Sequence, residues 1–517
     1  MSAFFYFGKF EGMSAEQGFE LDPQYVRNLV STAETQPDLL EEDLLDDLSE
    51  LIWRADHPQG ISPKLVVCPE PGKYVASVEL TAEQGQAADA IVDAAITSKA
   101  GGQLLALIGS AGTGKTTTLR TVLDNLGLAG VKVTLSATTR KAARVVEQVT
   151  GIKGNTVQSA LGLKPKPNEM GELSLLKRHR DPVFERGSVL VIDESSMVND
   201  ELLKFVLSDA AVFDLTVVFV GDGCQLPPIG IDPKLFERPD IKVHRLSKIH
   251  RQGAQNPIVE TATSVREFIE GRALDMPSVI TKLNEQGEGI ELVDNAEFER
   301  RCKETFKDGW HSEAKVVTYT NNRACSINNM IRAALYPHAA EVPFFEGETV
   351  VCNSAVMRGE TVVLEGDTEF TVNSVKYDQL NHGVLCTSMV HKVGLELGVE
   401  ASIKLFVAND PNQIQQALQP LRQKALKLNA DVRKGLPSQA QRSAAWNEFF
   451  SAKESFADIR APYAGTCHKT QGSSYFEVFV DLADMAKCRI TAERARLIYT
   501  GLTRAGKKVI VNSGEIL

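Results

Sequence analysis

Beyond Leu80 the chain alternates short apolar runs with longer segments of helical pattern. Residues 104–108, 131–136, 189–192 and 215–220 are dense in Leu, Val and Ile, as strands buried on both faces must be. Helical segments separate them, which predicts a parallel sheet covered by helices on both sides. A second series, residues 316–319, 478–481 and 509–512, predicts another such sheet. Between Arg332 and Gly465 lies more chain than a loop accounts for. It opens with strand-like pieces at 349–352, 369–374 and 384–390 and continues as a helical stretch over about 411–457. Together these predict an inserted β module with a helical extension. Upstream, Leu40, Leu44, Leu48, Leu51 and Ile52 recur at helical spacing among acidic residues. That is the pattern of an acidic amphipathic helix, which packs on its own protein or docks a partner. Four prolines between His57 and Gly72 mark a linker.

Length and charge sharpen this picture. A chain of 517 residues exceeds what one hydrophobic core supports, so three or four domains are expected. With 43% apolar and 24% charged residues, no apolar run of membrane-spanning length and no signal-peptide pattern, the reading is a soluble protein of the cytoplasm, with no membrane partner. The eight cysteines are scattered without C-x-x-C pairs, which argues for reduced thiols rather than a metal site or disulfides. The net charge of −11 is concentrated: residues 1–79 hold five basic and fifteen acidic side chains, leaving the other 438 near neutrality. A near-neutral core can still carry a basic groove, so nucleic acid is not excluded; coating DNA by bulk charge is.

The run at 104–108 leads into Gly109-Ser110-Ala111-Gly112-Thr113-Gly114-Lys115-Thr116-Thr117, which satisfies G-x-x-x-x-G-K-[ST] at every fixed position. The glycines let consecutive backbone N–H groups converge on an anion, and the next helix offers its N-terminal dipole to phosphate. Lys115 is placed to neutralise β- and γ-phosphates, and the Thr116 hydroxyl to ligate Mg²⁺. Some seventy-odd residues on, Val189-Leu-Val-Ile-Asp193-Glu194 reads as a buried strand ending in two carboxylates, side by side with the P-loop. Asp193 can then hold Mg²⁺, and Glu194 can orient and deprotonate the attacking water, making the reaction hydrolysis. After the run ending in Gly221-Asp222, Gln225 is a neutral side chain able to contact both a γ-phosphate and a neighbouring domain.

From residue 80 to 517 these and further motifs resemble the Dda-like, RecD-related superfamily 1B DNA helicases, in family order. Leu80-Thr-Ala-Glu-Gln84 resembles the adenine-reading Q motif, which implies that Gln84 grips the base. The segments holding Thr138, Thr139 and Arg140, and Thr156 and Gln158, resemble the first domain's DNA contacts, though the family often has Pro-Thr at the first pair and His at Gln158. Leu246-Ser-Lys-Ile-His-Arg251 resembles the motif supplying an arginine finger, and Thr318-Tyr-Thr320-Asn321-Asn-Arg323 the second domain's nucleotide and strand contacts. Tyr463-Ala-Gly-Thr-Cys-His468-Lys469 and Tyr499-Thr-Gly-Leu-Thr-Arg504 resemble the last two motifs, giving DNA contacts at His468 and Lys469 and a second finger at Arg504.

The resemblance implies an α/β fold of two RecA-like parallel-sheet P-loop domains with an inserted β-hairpin pin, an inserted SH3-like β module with helices, and a small N-terminal extension. The expected boundaries are 1–75 for an acidic accessory segment and linker, 76–240 for the first domain with its pin at about 161–187, 241–342 with 458–517 for the second, and 343–457 for the insert. It further implies an enzyme that hydrolyses ATP with Mg²⁺, held by Thr116 and Asp193, to translocate 5′-to-3′ on single-stranded DNA and open a fork as a monomeric motor. A strand-binding protein or replisome component is the expected partner of the acidic N-terminus. Within residues 160–188, Asn168 to Gly171 has turn chemistry, and Met170 and Leu173 near the tip are expected to act as the duplex wedge, with Lys164, Lys166, Lys177, Arg178 and Arg180 toward phosphates. The alternatives are a nucleic-acid-stimulated ATPase that remodels without processive unwinding, and an RNA helicase.

Overall fold

The computed structural model describes residues 80–97, 102–167, 173–178, 180–227, 235–248, 256–336, 338–339, 342–358, 361–394, 400–432 and 439–514. All belong to the second of two compact units, Pro69–Leu517. The expected acidic helix at 38–53, Arg251 and the hairpin tip with Met170 lie outside the described residues.

The first sheet is wholly parallel. Its strands are β1 (Leu104–Gly109), β2 (Val133–Ala137), β3 (Gly154–Thr156), β6 (Val189–Asp193), β7 (Thr216–Gly221) and β8 (Lys242–Leu246), with β4 (Leu163–Pro167) and β5 (Leu173–Arg178) forming a separate hairpin. The spatial order is β3-β2-β6-β7-β1-β8. Alternation within β1 divides the core: Leu105 and Leu107 face the helices Ala82–Thr97 and Lys115–Leu128 through Ile91, Val92, Leu119 and Val122. Ala106 and Ile108 join the opposite core with Leu202, Leu203 and Val206 of the helix Asp200–Phe213. Burial on both faces is why β1, β6 and β7 are continuous apolar runs.

The second sheet comprises β9 (Lys282–Leu283), β10 (Gly289–Val293), β11 (Ala314–Thr318) and the later strands Ala464–Thr466, Tyr475–Asp481 and Ala505–Asn512. In space Ala464–Thr466 is one edge, followed by β11, Tyr475–Asp481, Ala505–Asn512, β10 and β9. Only the edge strand β9 runs antiparallel, to β10. Between β11 and Ala464–Thr466 the chain builds small antiparallel sheets, including Thr349–Cys352 paired with Glu369–Thr371, and a three-stranded meander ending in Glu400–Ala408. The helices Pro411–Val432 and Gln439–Glu454 follow and pack on each other through Leu418, Ala425, Trp446 and Phe449. A buried bidentate ion pair, Arg332 to Glu348 at 2.5 and 3.0 Å, ties this insert to the helix Asn321–Leu335.

Three expectations move. The first domain does not end at 240, because β8 pairs in parallel with β1 as the edge of the first sheet. The insert does not end at 457, because Ile459–Arg460 still pairs with Thr349–Cys352. Nor is the carboxylate strand beside the P-loop strand: β7 lies between β1 and β6, pairing with both.

Candidate functional site

The P-loop turns on Gly112 and Gly114, with φ of 84° and 82°, values that a side chain rarely tolerates. A Cβ on Gly114 would stand 2.3 Å from Gln84 Nε2. Gln84 is buried against the loop: its Nε2 donates to Thr113 O at 2.9 Å, and its Oε1 accepts from Thr81 N at 3.0 Å. Its amide therefore braces the loop that it was expected to complement by reading a base. Lys115 Nζ donates to Gly109 O at 2.8 Å and Ser110 O at 3.0 Å, and Thr113 Oγ1 also donates to Ser110 O.

Asp193 ends β6, and Glu194 follows in a left-handed conformation with φ 49°. Burial, then the adjacent Glu194 charge, pushes the Asp193 carboxyl up to about 7, with Lys115 opposing. A cation beside the pair would relieve this repulsion, so a donor set of Asp193 and the Thr116 hydroxyl fits a Mg²⁺–nucleotide, with Glu194 left beside it. Gln225 is buried, and its Oε1 has no hydrogen-bond partner among the described residues.

One cleft of about 1080 Å³ gathers Gly112, Gly114, Lys115, Thr116, Thr117, Asp193, Glu194 and Gln225 of the first domain. Facing them are Gly472, Tyr475, Thr503 and Arg504 of the second domain. The Arg504 guanidinium is buried, donating to Thr500 O at 3.2 Å and Ser473 O at 3.1 Å, so its own domain holds it at the cleft wall. Arg323, expected at the nucleotide, is not among the lining residues. Its Nε donates to Asp481 at 2.7 Å, Nη1 to Glu299 at 3.2 Å and Nη2 to Asn295 at 2.9 Å, a network within the second domain.

The candidate strand contacts lie on both domains. Thr139, Thr156 and Thr320 each cap a helix, accepting from Ala142 N, Ser159 N and Arg323 N. Thr138 Oγ1 donates to Glu194 O at 3.2 Å, joining a strand candidate to a carboxylate candidate. Tyr319 N and Thr320 N both donate to Asp484 Oδ2. Asn321 Oδ1 accepts from Arg460 at 3.0 Å. Arg140 pairs with Glu365, and Lys469 with Asp367. Gln158 lies on the short helix Val157–Ala160, half-buried. Burial lowers the His468 pKa, with Glu493 opposing, so its imidazole is neutral near pH 7. The backbone of β4 and β5 pairs as an antiparallel hairpin, from Leu163↔Arg178 to Pro167↔Leu173.

Sequence reasoning missed the seam between the domains. The turn after β7 enters the second domain: Cys224 and Leu226 belong to its core. Tyr499 OH donates to Asp222 Oδ2 at 2.7 Å, Arg496 to Gln225 O at 3.0 Å, and Gln471 to Leu226 O at 3.0 Å. A Cβ on Gly472 would stand 3.3 Å from Ala142 Cβ. The one available signal was the small, polar Gly221-Asp222-Gly-Cys-Gln225 after a fully apolar strand.

A P-loop on one parallel sheet, with its carboxylates and a buried Gln at neighbouring strand ends, all facing a second parallel sheet across one cleft, defines a two-domain P-loop protein. Within that class, residues 79–288 match the AAA domain family and residues 462–512 the UvrD-like helicase C-terminal domain. The chain is similar to the ATP-dependent DNA helicase dda of Enterobacteria phage T4, 23% identical over 77% of this chain and 91% of that protein. It is also similar to the ATP-dependent RecD2 DNA helicase of Deinococcus radiodurans, 36% identical over 32% of this chain but only 22% of that one. The Pif1 helicase from Candida albicans covers 84% of this chain and 94% of its own at 16% identity, with a TM-score of 0.46. The chain thus resembles the Dda-like, RecD-related superfamily 1B helicases.

Proposed function

We propose that this protein is an ATP-driven 5′-to-3′ DNA helicase that steps along single-stranded DNA and opens duplex ahead of it. The observation that carries the reading is the shared cleft, with Lys115, Asp193, Glu194 and Gln225 on one wall and Arg504 on the other. The matched families and the length over which the dda helicase aligns support it.

In this reading Lys115 exchanges its loop carbonyls for phosphate oxygens. Thr116 and Asp193 hold Mg²⁺, which supplies charge neutralisation at the phosphates. Glu194 orients water and takes its proton, and Gln225, whose carbonyl has no partner among the described residues, presents it to the cleft. Domain closure brings Arg504 toward the developing charge. Thr138 links this chemistry to the strand, since its hydroxyl already contacts the Glu194 backbone. The seam Asp222–Tyr499 and Gln225–Arg496 couples the phosphate side to the second domain's strand contacts.

Strand displacement from 5′-tailed and 3′-tailed duplexes, with and without ATP, tests the proposal. ATP-dependent displacement of the 5′-tailed substrate alone is expected. Displacement from the 3′ tail, or ATP turnover on single strands with neither duplex opened, would overturn it.

A further inference from the structure

The inserted module extends one acidic loop, Glu365-Gly366-Asp367-Thr368-Glu369, onto both α/β domains. Glu365 Oε1 lies 2.8 Å from Arg140 Nε, and its Oε2 accepts from Arg144 Nη2 at 2.5 Å; both arginines are on the first domain's helix Arg140–Thr150. Their spacing of four residues puts them on one helix face. Asp367 Oδ1 accepts from Lys469 Nζ of the second domain at 3.3 Å. Glu369 Oε2 accepts from Trp310 Nε1 at 3.1 Å. Two carboxylates of the insert, Glu365 and Asp367, thus engage three cations on the two α/β domains, and Arg140 and Lys469 among them are strand-contact candidates.

Surface pairs of this kind are worth little as mortar, because solvent screens them and long side chains must be ordered. The cations remain accessible: the side chains of Arg144 and Lys469 are 50% and 45% exposed. The loop backbone, by contrast, is fixed. Asp367 N donates to Cys352 O, and Cys352 N donates to Thr368 O. Asp367 itself adopts φ 59°, a costly conformation for a residue with a side chain. A rigid scaffold thereby presents carboxylate oxygens to the basic face, and rotation of two side chains is enough to withdraw them. A carboxylate and a phosphate diester offer a guanidinium or ammonium group the same singly charged, two-oxygen acceptor.

We propose that Glu365 and Asp367 are built-in competitors of the nucleic-acid backbone, occupying two phosphate positions, and that Arg144 is a further phosphate contact. This rests on the helicase reading above. The loop sets a threshold: a strand binds only where its phosphates outcompete the carboxylates, which favours continuous single strand over stray anions. The competing pairs also bridge the insert to each domain, so strand entry unlinks the insert as it engages both.

The test is anisotropy titration of a fluorescein-labelled oligodeoxythymidylate with the full chain, across a series of salt concentrations. Glu365→Gln with Asp367→Asn should bind about three- to tenfold tighter at low salt. Its plot of log K against log salt should be steeper by about one to two, since cations freed from carboxylates now bind and release counterions. Glu365→Gln alone should move the same way by a smaller amount. Arg144→Ala should weaken binding and lower the slope by about one. Unchanged or weaker binding by the carboxamide variants would overturn the proposal, showing that the loop positions the cations for the strand. If the unaltered chain bound no strand at all, the helicase reading itself would fall.

Discussion

At the scale of single residues, the P-loop and the β6 carboxylates divide the work in a way that mutation can separate. In the proposed function Lys115 contributes charge and Glu194 the base, which sits in a left-handed backbone turn beside a raised Asp193. Lys115→Ala and Glu194→Gln should both abolish turnover, by about 10³-fold or more, but only the second should still bind ATP and stay trapped on single strands. Filter binding of labelled nucleotide beside steady-state hydrolysis checks this, and normal turnover by Glu194→Gln would remove the base assignment. His468 offers a pH test. Its folded pKa is depressed by burial, so the unfolded chain binds its proton more readily. Its contribution to stability is present above the ordinary histidine range and is lost as pH falls through the folded value. Thermal unfolding at about pH 7.5 and about pH 5.5 should show a smaller acid-induced loss in His468→Gln than in the unaltered chain. Arg323 shows what residue-level reading leaves out. Thr320-Asn-Asn-Arg323 resembles a nucleotide and strand contact, and nothing local in it announces that Asp481, 158 residues away, accepts from the guanidinium.

At the scale of elements, the hairpin β4–β5 is the expected duplex wedge, which in the proposed function separates unwinding from stepping. Its flanks pair as the turn chemistry at 168–171 implied. Replacing Met170 and Leu173 with Ala should leave ATP hydrolysis and translocation nearly intact and selectively reduce duplex opening, since separating a stacked pair costs a few kcal/mol. Parallel loss of translocation and unwinding, or no change in either, would place the wedge elsewhere. The elements legible in the sequence were those whose burial leaves a signature: β1, β6 and β7 are apolar on both faces, and each run was found to within two residues. The edge strand β8, Lys242-Val-His-Arg-Leu246, alternates and carries charge, so no apolar run marks it, and the expected boundary at 240 put it in the second domain. That is how edges are made, and it moved the domain boundary. The order of strands was not legible at all. Adjacency of β7 to β1 depends on contacts that no local pattern encodes.

At the scale of the molecule, the account is of two sheets that share one cleft and one seam. Asp222 and Tyr499 are 277 residues apart, so the hydrogen bond that locks the turn after β7 into the second domain was invisible in sequence. That seam holds the phosphate-side Gln225 and the helix leading to Arg504 in fixed relation, while Gly472 lets the second domain approach Glu194. In the proposed function such an arrangement converts events at the nucleotide into relative movement of the candidate strand-binding surfaces, provided that closure completes the site from the far wall. Arg504 is the residue on which this depends. The decisive measurement is single-strand-stimulated ATP hydrolysis by Arg504→Lys, with strand affinity measured without nucleotide as the control for folding. The account predicts a fall in turnover of about 10³-fold with strand affinity unchanged. A fall of only a few-fold would contradict it, because the second domain would then close on a site already complete.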